Sequence, residues 1–318
     1  MTVRQRQGVL WDAMRGALVT RALGVVTDLG VADALVDGPL PVAEIARRTG
    51  ADAETLNRLL RALASDGIFA ETGPCVYRNT DTSDLLREPG WRDFAHLFGG
   101  VWHRAAVDLT AVSGEPTFDQ AFGTEFWTWL KAHPDERAAF DRAMTEGTER
   151  RADRLAAIEW RDGETVVDVG GGNGSLLLEL IRRLPGLRGI VFDLPETNRD
   201  EAALAAAGIE FVEGSFFERV PAGDTYVLGT VIHNWPDERA AAILSTVRAA
   251  APAGARVLIL DSVLQPGNEP DGAKWLDLLM LVLTGGRERA EPEWRTLVEG
   301  AGLRVEGLGE ALVIASCP

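Results

Sequence analysis

Residues 165–175 read TVVDVGGGNGS, and the prediction of the fold starts from this stretch. The run at 165–167 is β-branched and apolar, as is typical of a strand, and Asp168 follows it at once. A helical pattern begins at Ser175, and an ordinary turn before it needs one glycine rather than four. The four are Gly170, Gly171, Gly172 and Gly174. Because glycine lets a ligand lie against the backbone at a helix start, the stretch predicts strand, turn and helix with a bound cofactor.

The identity of that cofactor depends on two acids. A glycine-rich turn with an acid about 20 residues later also describes dinucleotide folds, but Ser175 replaces the third glycine of that pattern. Asp168 would meet a pyrophosphate with like charge, whereas a cationic ligand suits it. Asp193 ends the second predicted strand, where it can accept hydrogen bonds from both hydroxyls of a ribose. A ribosylated ligand with positive charge is S-adenosylmethionine.

Several separated stretches resemble the type 2 small-molecule O-methyltransferases, a family of plant phenylpropanoid enzymes and bacterial tailoring enzymes of aromatic natural products. They are DVGGGNGSLLLELIRRLPGLRGIVFDLP at 168–195, VIHNWPDERAAAIL at 231–244, LDSVL at 260–264 and GGRERAEPEW at 285–294. The resemblance covers nearly the whole chain. It implies an α/β fold with a Rossmann-like, seven-stranded methyltransferase sheet, an amino-terminal winged-helix dimerisation domain, and methylation of a hydroxyl on a small polyketide or phenolic metabolite.

Composition narrows the classes of partner. The chain has 318 residues, 46% of them hydrophobic, and its 48 acids against 32 bases give a net charge of -16. Such a surface disfavours nucleic acid and anionic membranes. Cys75 and Cys317 are the two cysteines, which gives no disulfide framework or metal-ligand spacing and fits a cytoplasmic protein. No metal is expected, and no targeting or membrane-spanning pattern is evident at the start.

We predict three regions. Residues 1–100 form the dimerisation domain, 101–158 a helical linker and substrate lid, and 159–318 the cofactor-binding domain. Residues 9–35 read as one or two helices that are apolar on more than one face. The positions at helical spacing are Leu10, Met14, Leu18, Ala22 and Val25. The family resemblance implies that these helices form a homodimer, and packing within the chain is the alternative.

The stretch 41–78 reads as a winged helix-turn-helix, which raises a DNA-binding regulator as the rival function. The recognition helix of a DNA-binding protein should present cations to phosphates. Here the negative charges of Asp52 and Glu54 offset the positive charges of Arg58 and Arg61. The charge balance therefore favours a dimerisation unit.

After Trp160 strands and helices alternate, which is typical of a parallel sheet. Strands are predicted near 164–169, 188–193, 209–213, 224–231, 255–262, 303–308 and 311–316. The ligands of such a sheet bind beyond the carboxyl ends of its strands. The predicted residues at that edge are Gly170, Asp193, Ser215, His233 and Asp261.

His233 follows an apolar strand directly and is the predicted general base, because its ordinary pKa of about 6.5 suits a phenolic proton. The alternative is a turn in which Asp237 caps the next helix. Asp261 and Glu288 match the two acids that flank the histidine in the family, and either could hold the ring. The alternative for Asp261 is an acid that only ends a strand. The alternative for Glu288 is a solvated charge that pairs with Arg287 or Arg289.

The resemblance also implies the ligand contacts. Those to the cofactor are Asp168, Gly170, Gly171, Gly172, Asp193, Leu194, Ser215, Phe216, Gly229, Thr230 and Trp235. Those to the acceptor are Trp102, Phe126, Met144, Asn234, Met280, Leu283 and Thr284. For Trp102 and Phe126 the alternative is a place in the hydrophobic core, where aromatic side chains are found more often.

The chain departs from the family pattern at three positions. Asn234 stands where aspartate is common, Ser215 where an acid is common, and Gly229 where plant members carry lysine. Cofactor contacts at these positions are therefore expected to be weaker or made by backbone. Because some relatives of this scaffold have lost methyl transfer, the resemblance leaves a non-methylating or N-methylating descendant as the main alternative. The retained His233 with both acids favours O-methylation.

Overall fold

A computed structural model describes residues 2–110, 115–197 and 200–318. It divides into two compact units, one of residues 1–107 with 134–146 and the other of residues 108–133 with 147–318. The segment 101–158, predicted as linker and lid, thus contributes to both units. No helix in the described ranges is long and apolar enough to cross a membrane.

The first half of the chain is mainly helical. Its elements are α1 Val3–Asp28, α2 Val31–Ala34, β1 Leu40–Pro41, α3 Val42–Thr49, α4 Ala53–Ser65, β2 Phe69–Gly73, β3 Val76–Asn79, α5 Asp81–Asp84, a 3-10 turn Leu85–Arg87, α6 Pro89–Gly99, α7 Val101–Val107, α8 Thr117–Phe122, α9 Phe126–Ala132, α10 Pro134–Ala143 and α11 Thr148–Ala156. Helices α3 and α4 followed by the antiparallel β2–β3 pair confirm the predicted winged helix.

Local sequence explains the winged helix. The carboxylate of Asp52 caps α4 by accepting from the backbone N of Thr55 at 2.8 Å. Leu56, Leu60 and Leu63 recur at helical spacing on α4 and are fully buried in the core of the first unit. Helices α1 and α6 also approach closely, because Gly24 and Gly99 face each other and a Cβ on either would meet the other's Cα.

The second half alternates strands and helices. Its elements are β4 Thr165–Val169, α12 Ser175–Arg183, β5 Arg188–Asp193, α13 Glu201–Ala206, β6 Ile209–Glu213, β7 Thr225–Gly229, a 3-10 turn Ile232–Asn234, α14 Asp237–Ala250, β8 Arg256–Leu260, β9 Val263–Leu264, α15 Gly272–Leu283, β10 Arg289–Ala290, α16 Glu291–Gly300, β11 Arg304–Gly309 and β12 Leu312–Ser316.

Seven of these strands form one sheet in the order β11-β12-β8-β7-β4-β5-β6. All are parallel except β12, which is antiparallel to both of its neighbours. Buried apolar side chains cover both faces of the central strands, as a parallel sheet with helices on both sides requires. The predicted seven-stranded fold is confirmed, and β4, β7 and β8 bring their following loops to one edge.

Candidate active site

The turn after β4 is shaped by close approaches that only glycine allows. A Cβ on Gly171 would lie 2.6 Å from Cγ of Asp168, and one on Gly170 would lie 3.0 Å from Cγ2 of Val231. Gly170 also has a φ of 69°, in the left-handed region. The turn therefore folds over Asp168 on one side and packs against the loop after β7 on the other. This places the predicted cofactor turn beside the loop that carries His233.

Asp168 is a buried acid with an unused oxygen. It is 2% exposed, and its Oδ2 has no hydrogen-bond partner among the described residues. Burial, with a smaller contribution from nearby Asp193, raises the pKa of its carboxyl to about 7. A cationic ligand at the glycine turn would satisfy this oxygen and favour its charged form. The orphaned atom and the glycine cradle thus fit a cofactor that carries an ammonium group.

Asp193 is held by three donors from its own chain. Its Oδ2 accepts from the backbone N of Gly172 at 2.7 Å, and its Oδ1 accepts from the N of Leu194 at 2.6 Å and the hydroxyl of Thr197 at 2.9 Å. A carboxylate has about four acceptor sites. One site on Oδ2 is therefore left for a hydroxyl, and a second hydroxyl would have to replace one of these donors.

Thr230 holds a strained position just after β7. Its φ of 55° lies in the left-handed region, which a β-branched residue rarely adopts. Its backbone N donates to Leu260 at 3.3 Å, and its carbonyl oxygen accepts from the amide of Asn234 at 2.8 Å. Such strain concentrates at functional sites and persists where the surroundings enforce it.

The other predicted cofactor residues lie near the same edge. Phe216 follows Ser215, whose hydroxyl accepts from the backbone N of Phe217 at 3.3 Å. The ring of Trp235 lies 6.1 Å from that of Phe216 and 4.3 Å from the guanidinium of Arg239. Gly229 faces Leu176, and Leu194 is exposed. Aromatic and apolar surface is thus available beside the acids.

His233 lies in the 3-10 turn after β7 and is 6% exposed. Its Nδ1 is 2.6 Å from Oε1 of Glu288, and its backbone N donates to Oδ2 of Asp261 at 2.9 Å. No hydrogen bond to its Nε2 occurs in the described part of the chain. Because a carboxylate can only accept, Nδ1 carries the proton and Nε2 presents its lone pair. Glu288, not Asp261, therefore contacts the ring.

Burial and charge act in opposite directions on this histidine. Burial lowers the pKa of His233, but the carboxylates of Asp261 and Glu288 outweigh it, so the pKa is raised overall. For Asp261 and Glu288 burial acts in the other direction and raises the pKa, while the nearby His233 opposes that rise. Two buried acids beside one imidazole stabilise the cation that forms when the ring accepts a proton.

Glu288 is not a solvated charge, since it is 1% exposed. Its backbone N donates to Asp277 at 2.8 Å, and the N of Arg287 donates to the carbonyl of His233 at 2.8 Å. The reading of Glu288 as a surface partner of Arg287 or Arg289 is therefore excluded. Asp237 is also not the cap of α14, because the helix begins at this residue and Pro236 occupies the cap position.

The predicted acceptor contacts divide between the two units. Phe126 is buried in the second unit, with its ring 5.1 Å from Phe118 and 5.0 Å from Trp127. Met280 and Leu283 are buried on α15 in that same unit. Trp102 is buried in the first unit, 4.8 Å from Phe98, and Met144 also belongs there. The assignment of these two to the acceptor therefore stays a prediction.

Two of the predicted acceptor residues already bind backbone. The amide of Asn234 donates to Thr230, and the hydroxyl of Thr284 donates to the carbonyl of Met280 at 3.1 Å and accepts from the N of Gly286 at 3.2 Å. Both side chains stabilise their own loops. Their role toward an acceptor stays a prediction.

Sequence reasoning missed two residues beside the site. Trp127 stacks on Trp235 with ring centroids 6.3 Å apart and an interplanar angle of 25°. Arg289 is 0% exposed, although the sequence shows it only as one charge in a mixed run. The predicted acceptor residue Phe126 is adjacent to Trp127 and could have pointed to it. No sequence signal indicates that an arginine in a charged stretch is buried.

Comparison with known proteins agrees with this geometry. The O-methyltransferase domain family matches residues 102–304, and the O-methyltransferase dimerisation domain matches residues 11–88. The phenazine O-methyltransferase PhzM of Lysobacter antibioticus is 38% identical over 96% of this chain and 95% of its own. The O-demethylpuromycin-O-methyltransferase of Streptomyces alboniger is 40% identical over 91% and 81% respectively.

A solved relative was crystallised with ligands. The O-methyltransferase NcsB1 of neocarzinostatin biosynthesis is 33% identical, covers 94% of this chain and 96% of its own, and superposes with a TM-score of 0.81. That structure contains S-adenosyl-L-homocysteine and 1,4-dihydroxy-2-naphthoic acid. A second structure of the same enzyme contains S-adenosylmethionine and 2-hydroxy-5-methyl naphthoic acid. With the cofactor and enzyme class predicted from the sequence confirmed, this chain belongs to the S-adenosylmethionine-dependent O-methyltransferase family, with an amino-terminal dimerisation domain.

Proposed function

We propose that this enzyme methylates a hydroxyl of a small aromatic natural product, with His233 as the general base. One observation carries the proposal. His233 is buried at the ligand-binding edge of the sheet, its Nδ1 is fixed by Glu288 at 2.6 Å, and its Nε2 is left as an acceptor. A phenolic proton near neutral pH matches such a base.

The cofactor residues follow from charge and from the glycine turn. When bound, S-adenosylmethionine supplies an electrophilic methyl group. Asp168 would meet its ammonium charge, and Oδ2 of Asp193 would accept from a ribose hydroxyl. Phe216 and Trp235 offer aromatic surface next to the turn. Gly170, Gly171 and Gly172 keep the backbone close to the ligand.

The protein's own part in the reaction is the removal and storage of one proton. Nε2 of His233 takes the proton of the acceptor hydroxyl as its oxygen becomes nucleophilic. Glu288 accepts the hydrogen bond from Nδ1 and stabilises the imidazolium, and Asp261 adds a second negative charge. General base catalysis contributes about 10² to 10⁴-fold, and the rest comes from orientation in a site with little water.

An aromatic acceptor is supported by the apolar residues of the second unit and by the relatives. Phe126, Met280 and Leu283 are buried apolar side chains of that unit, as suits a planar ligand. The named activities of the relatives concern phenazine, mitomycin and hydroxynaphthoate compounds. We place Trp102, Met144, Asn234 and Thr284 among the acceptor contacts on the family resemblance.

We also propose that the enzyme is a homodimer through its amino-terminal helices. Leu10, Met14 and Leu18 lie on α1 and are largely exposed, Leu18 by 76%. An apolar surface of this kind on a helix marks an interaction site. The match of residues 11–88 to a dimerisation domain supports a second copy of this chain as the partner.

A DNA-binding role for the winged helix is disfavoured by its ion pairs. Glu44 accepts from Arg47 at 2.7 Å and from Arg48 at 2.8 Å, and Asp66 accepts from Arg15 at 2.5 Å. These arginines are thus partly neutralised before they could meet phosphate. Absence of any gel shift with duplex DNA at low salt would agree with this proposal.

The direct test is methyl transfer. Purified enzyme is incubated with methyl-labelled S-adenosylmethionine and a panel that contains 1,4-dihydroxy-2-naphthoic acid, a hydroxyphenazine, the corresponding aromatic amines and the same rings without either group. We expect label in hydroxylated members only, with O-methyl products identified by mass spectrometry. Label in the amines alone would indicate N-methylation. Bound cofactor without any transfer would favour a non-methylating descendant.

A further inference from the structure

Arg289 uses all of its donors at the two loops that meet at His233. Its Nε and Nη2 donate to Oδ1 of Asp237 at 2.9 and 2.8 Å, and Nη2 also donates to the carbonyl of Trp235 at 2.9 Å. Its Nη1 donates to the carbonyls of Arg287 at 3.3 Å and, more weakly, Ile232 at 3.5 Å. A guanidinium has five N–H groups, and these five contacts account for them.

These contacts join the base to its partner. Ile232 and Trp235 flank His233 on one loop, while Arg287 precedes Glu288 on the other. One rigid guanidinium therefore sets the distance between the two loops that supply Nδ1 and Oε1. The parallel pairing of β10 with β9 fixes Arg289 itself next to the segment that follows Asp261.

We propose that Arg289 is a positioning residue for His233, holding its imidazole against Glu288 in the orientation that leaves Nε2 free for the acceptor. This inference rests on the proposed function of His233. Arg289 does not touch reacting atoms and acts through the two loops. Lysine cannot replace it fully, because an ammonium has three donors and lacks the planar fork.

The charge of Arg289 has a second effect that can be measured. The charged groups that face His233 are Asp261 and Glu288, which raise its pKa, and Arg289, which lowers it. Around them, Asp277 binds the backbone of Glu288, and Asp237 pairs with Arg289. Arg287 in turn contacts Asp237 and Glu293. Removing the cation by itself therefore shifts the pKa of His233 upward, and lysine avoids this shift because it keeps the charge.

The experiment compares Arg289→Lys, Arg289→Met and Asp237→Asn with the control Arg256→Lys. Arg256 is a matched control because it is a part-buried arginine that pairs with the buried carboxylate of Glu164 at 2.6 Å, but at the start of β8, the opposite end of the strand from Asp261. Each protein is labelled at its histidines, of which the chain has four. The Nδ1 proton of His233 and the pH titration of its ring are followed by NMR, together with kcat and binding of S-adenosylhomocysteine.

We expect Arg289→Lys to lose the downfield Nδ1 proton signal. Its kcat should fall by about 10 to 10²-fold, because the imidazole of His233 is then no longer held in the orientation that the reaction needs. Its ring should titrate at lower pH than in the wild type, because the charge at position 289 is kept while the hydrogen bond to Glu288, which raises the pKa of His233, is weakened. Arg289→Met should lose the same signal but titrate at higher pH than Arg289→Lys, because it also removes the cation. Asp237→Asn should resemble Arg289→Lys in a milder form. S-adenosylhomocysteine affinity should fall by much less than kcat, because the variants act on Trp235 only through its backbone carbonyl.

The control Arg256→Lys should keep the Nδ1 signal and the wild-type kcat. If Arg289→Lys keeps both, or if the control loses them equally, the proposal is wrong. The NMR arms need no acceptor, so they test Arg289 even if His233 proves not to be the base. Should Arg289→Met fail to fold, the two milder variants still decide the question.

Discussion

Glu288 accepts a 2.6 Å hydrogen bond from Nδ1 of His233, although the two buried residues are 55 positions apart in the chain. The pair joins the loop after β7 to the loop before β10. It fixes the tautomer in which Nε2 is the available acceptor. The proposed chemistry depends on this contact.

Replacing Glu288 tests the contact directly. In Glu288→Gln the neutral amide no longer stabilises the imidazolium, so kcat should fall by about 10² to 10⁴-fold. Glu288 raises the pKa of His233, and its loss should move the acid limb of the kcat profile to lower pH. The control Glu293→Gln neutralises a half-exposed partner of Arg287, and because an amide oxygen can still accept from the backbone N of Ala290, it should leave both quantities unchanged. An unchanged kcat in Glu288→Gln would contradict the assignment.

Cofactor affinity should depend on pH through Asp168. Burial raises the pKa of its carboxyl to about 7, so the group is largely protonated at pH 6 and charged at pH 8. A cationic ligand prefers the charged form, and S-adenosylmethionine should bind more tightly as the pH rises across this window. Calorimetry at several pH values measures this dependence.

The variant Asp168→Asn should lose that pH dependence and bind the cofactor weakly at every pH. Because it removes the cost of a buried charge, its melting temperature without cofactor should rise above that of the wild type at pH 8. A pH-dependent affinity that persists in Asp168→Asn would assign the titration to another group.

Asp193 is the predicted ribose contact. Asp193→Ala should cost about 1.5 to 3 kcal/mol of S-adenosylmethionine affinity, as expected for hydrogen bonds to a charged group. Asp200→Ala is the control, since Asp200 caps α13 by accepting from Ala203 at 3.0 Å. Equal loss in both variants would indicate a general effect on the loop rather than a ribose contact.

His96 provides a pH-dependent contribution to stability in the first unit. Its Nδ1 lies 2.7 Å from Asp28 and its Nε2 3.2 Å from Glu136. Hydrogen bonds to Asp28 first, and then to Glu136, raise its pKa to about 10. Since the folded pKa exceeds the unfolded value of about 6.5, the stabilisation is complete below pH 6.5 and is lost as the pH rises toward 10.

The free energy of unfolding of His96→Gln should therefore differ most from the wild type at pH 6 and converge with it near pH 10. Denaturant unfolding at several pH values measures this difference. His133→Gln is the control, because that ring contacts the carbonyl of Trp129 and has no carboxylate partner among the described residues. A difference for His96→Gln that is constant from pH 6 to 10 would rule out the ionic origin.

The sheet could be predicted closely because its strands are continuous apolar runs bounded by glycine and acids. The predicted strand at 188–193 coincides with β5, and the one at 164–169 differs from β4 by one residue. Asp168 and Asp193 were found because each lies at the carboxyl end of a predicted strand, and His233 because it follows the apolar stretch 225–232. Strand ends define the ligand edge.

The environment of the base could not be predicted to the same depth. Whether Asp261 or Glu288 contacts the ring depends on how the 286–289 loop packs, and a Cβ on Gly286 would overlap the carbonyl of His233. The burial of Arg289 depends on carbonyls from two loops, which leave no pattern in the sequence. Local periodicity carries no information on such long-range packing.

The variant His233→Gln distinguishes general base catalysis from a purely structural role of the imidazole. Glutamine keeps similar size and hydrogen bonding but cannot accept the proton, so kcat should fall by about 10² to 10⁴-fold on an acceptor turned over by the wild type. S-adenosylmethionine affinity should stay unchanged, and raising the pH should partly restore kcat because an ionised hydroxyl needs no base. A variant with a lower melting temperature but a nearly wild-type kcat per folded molecule would contradict the assignment of His233 as the base.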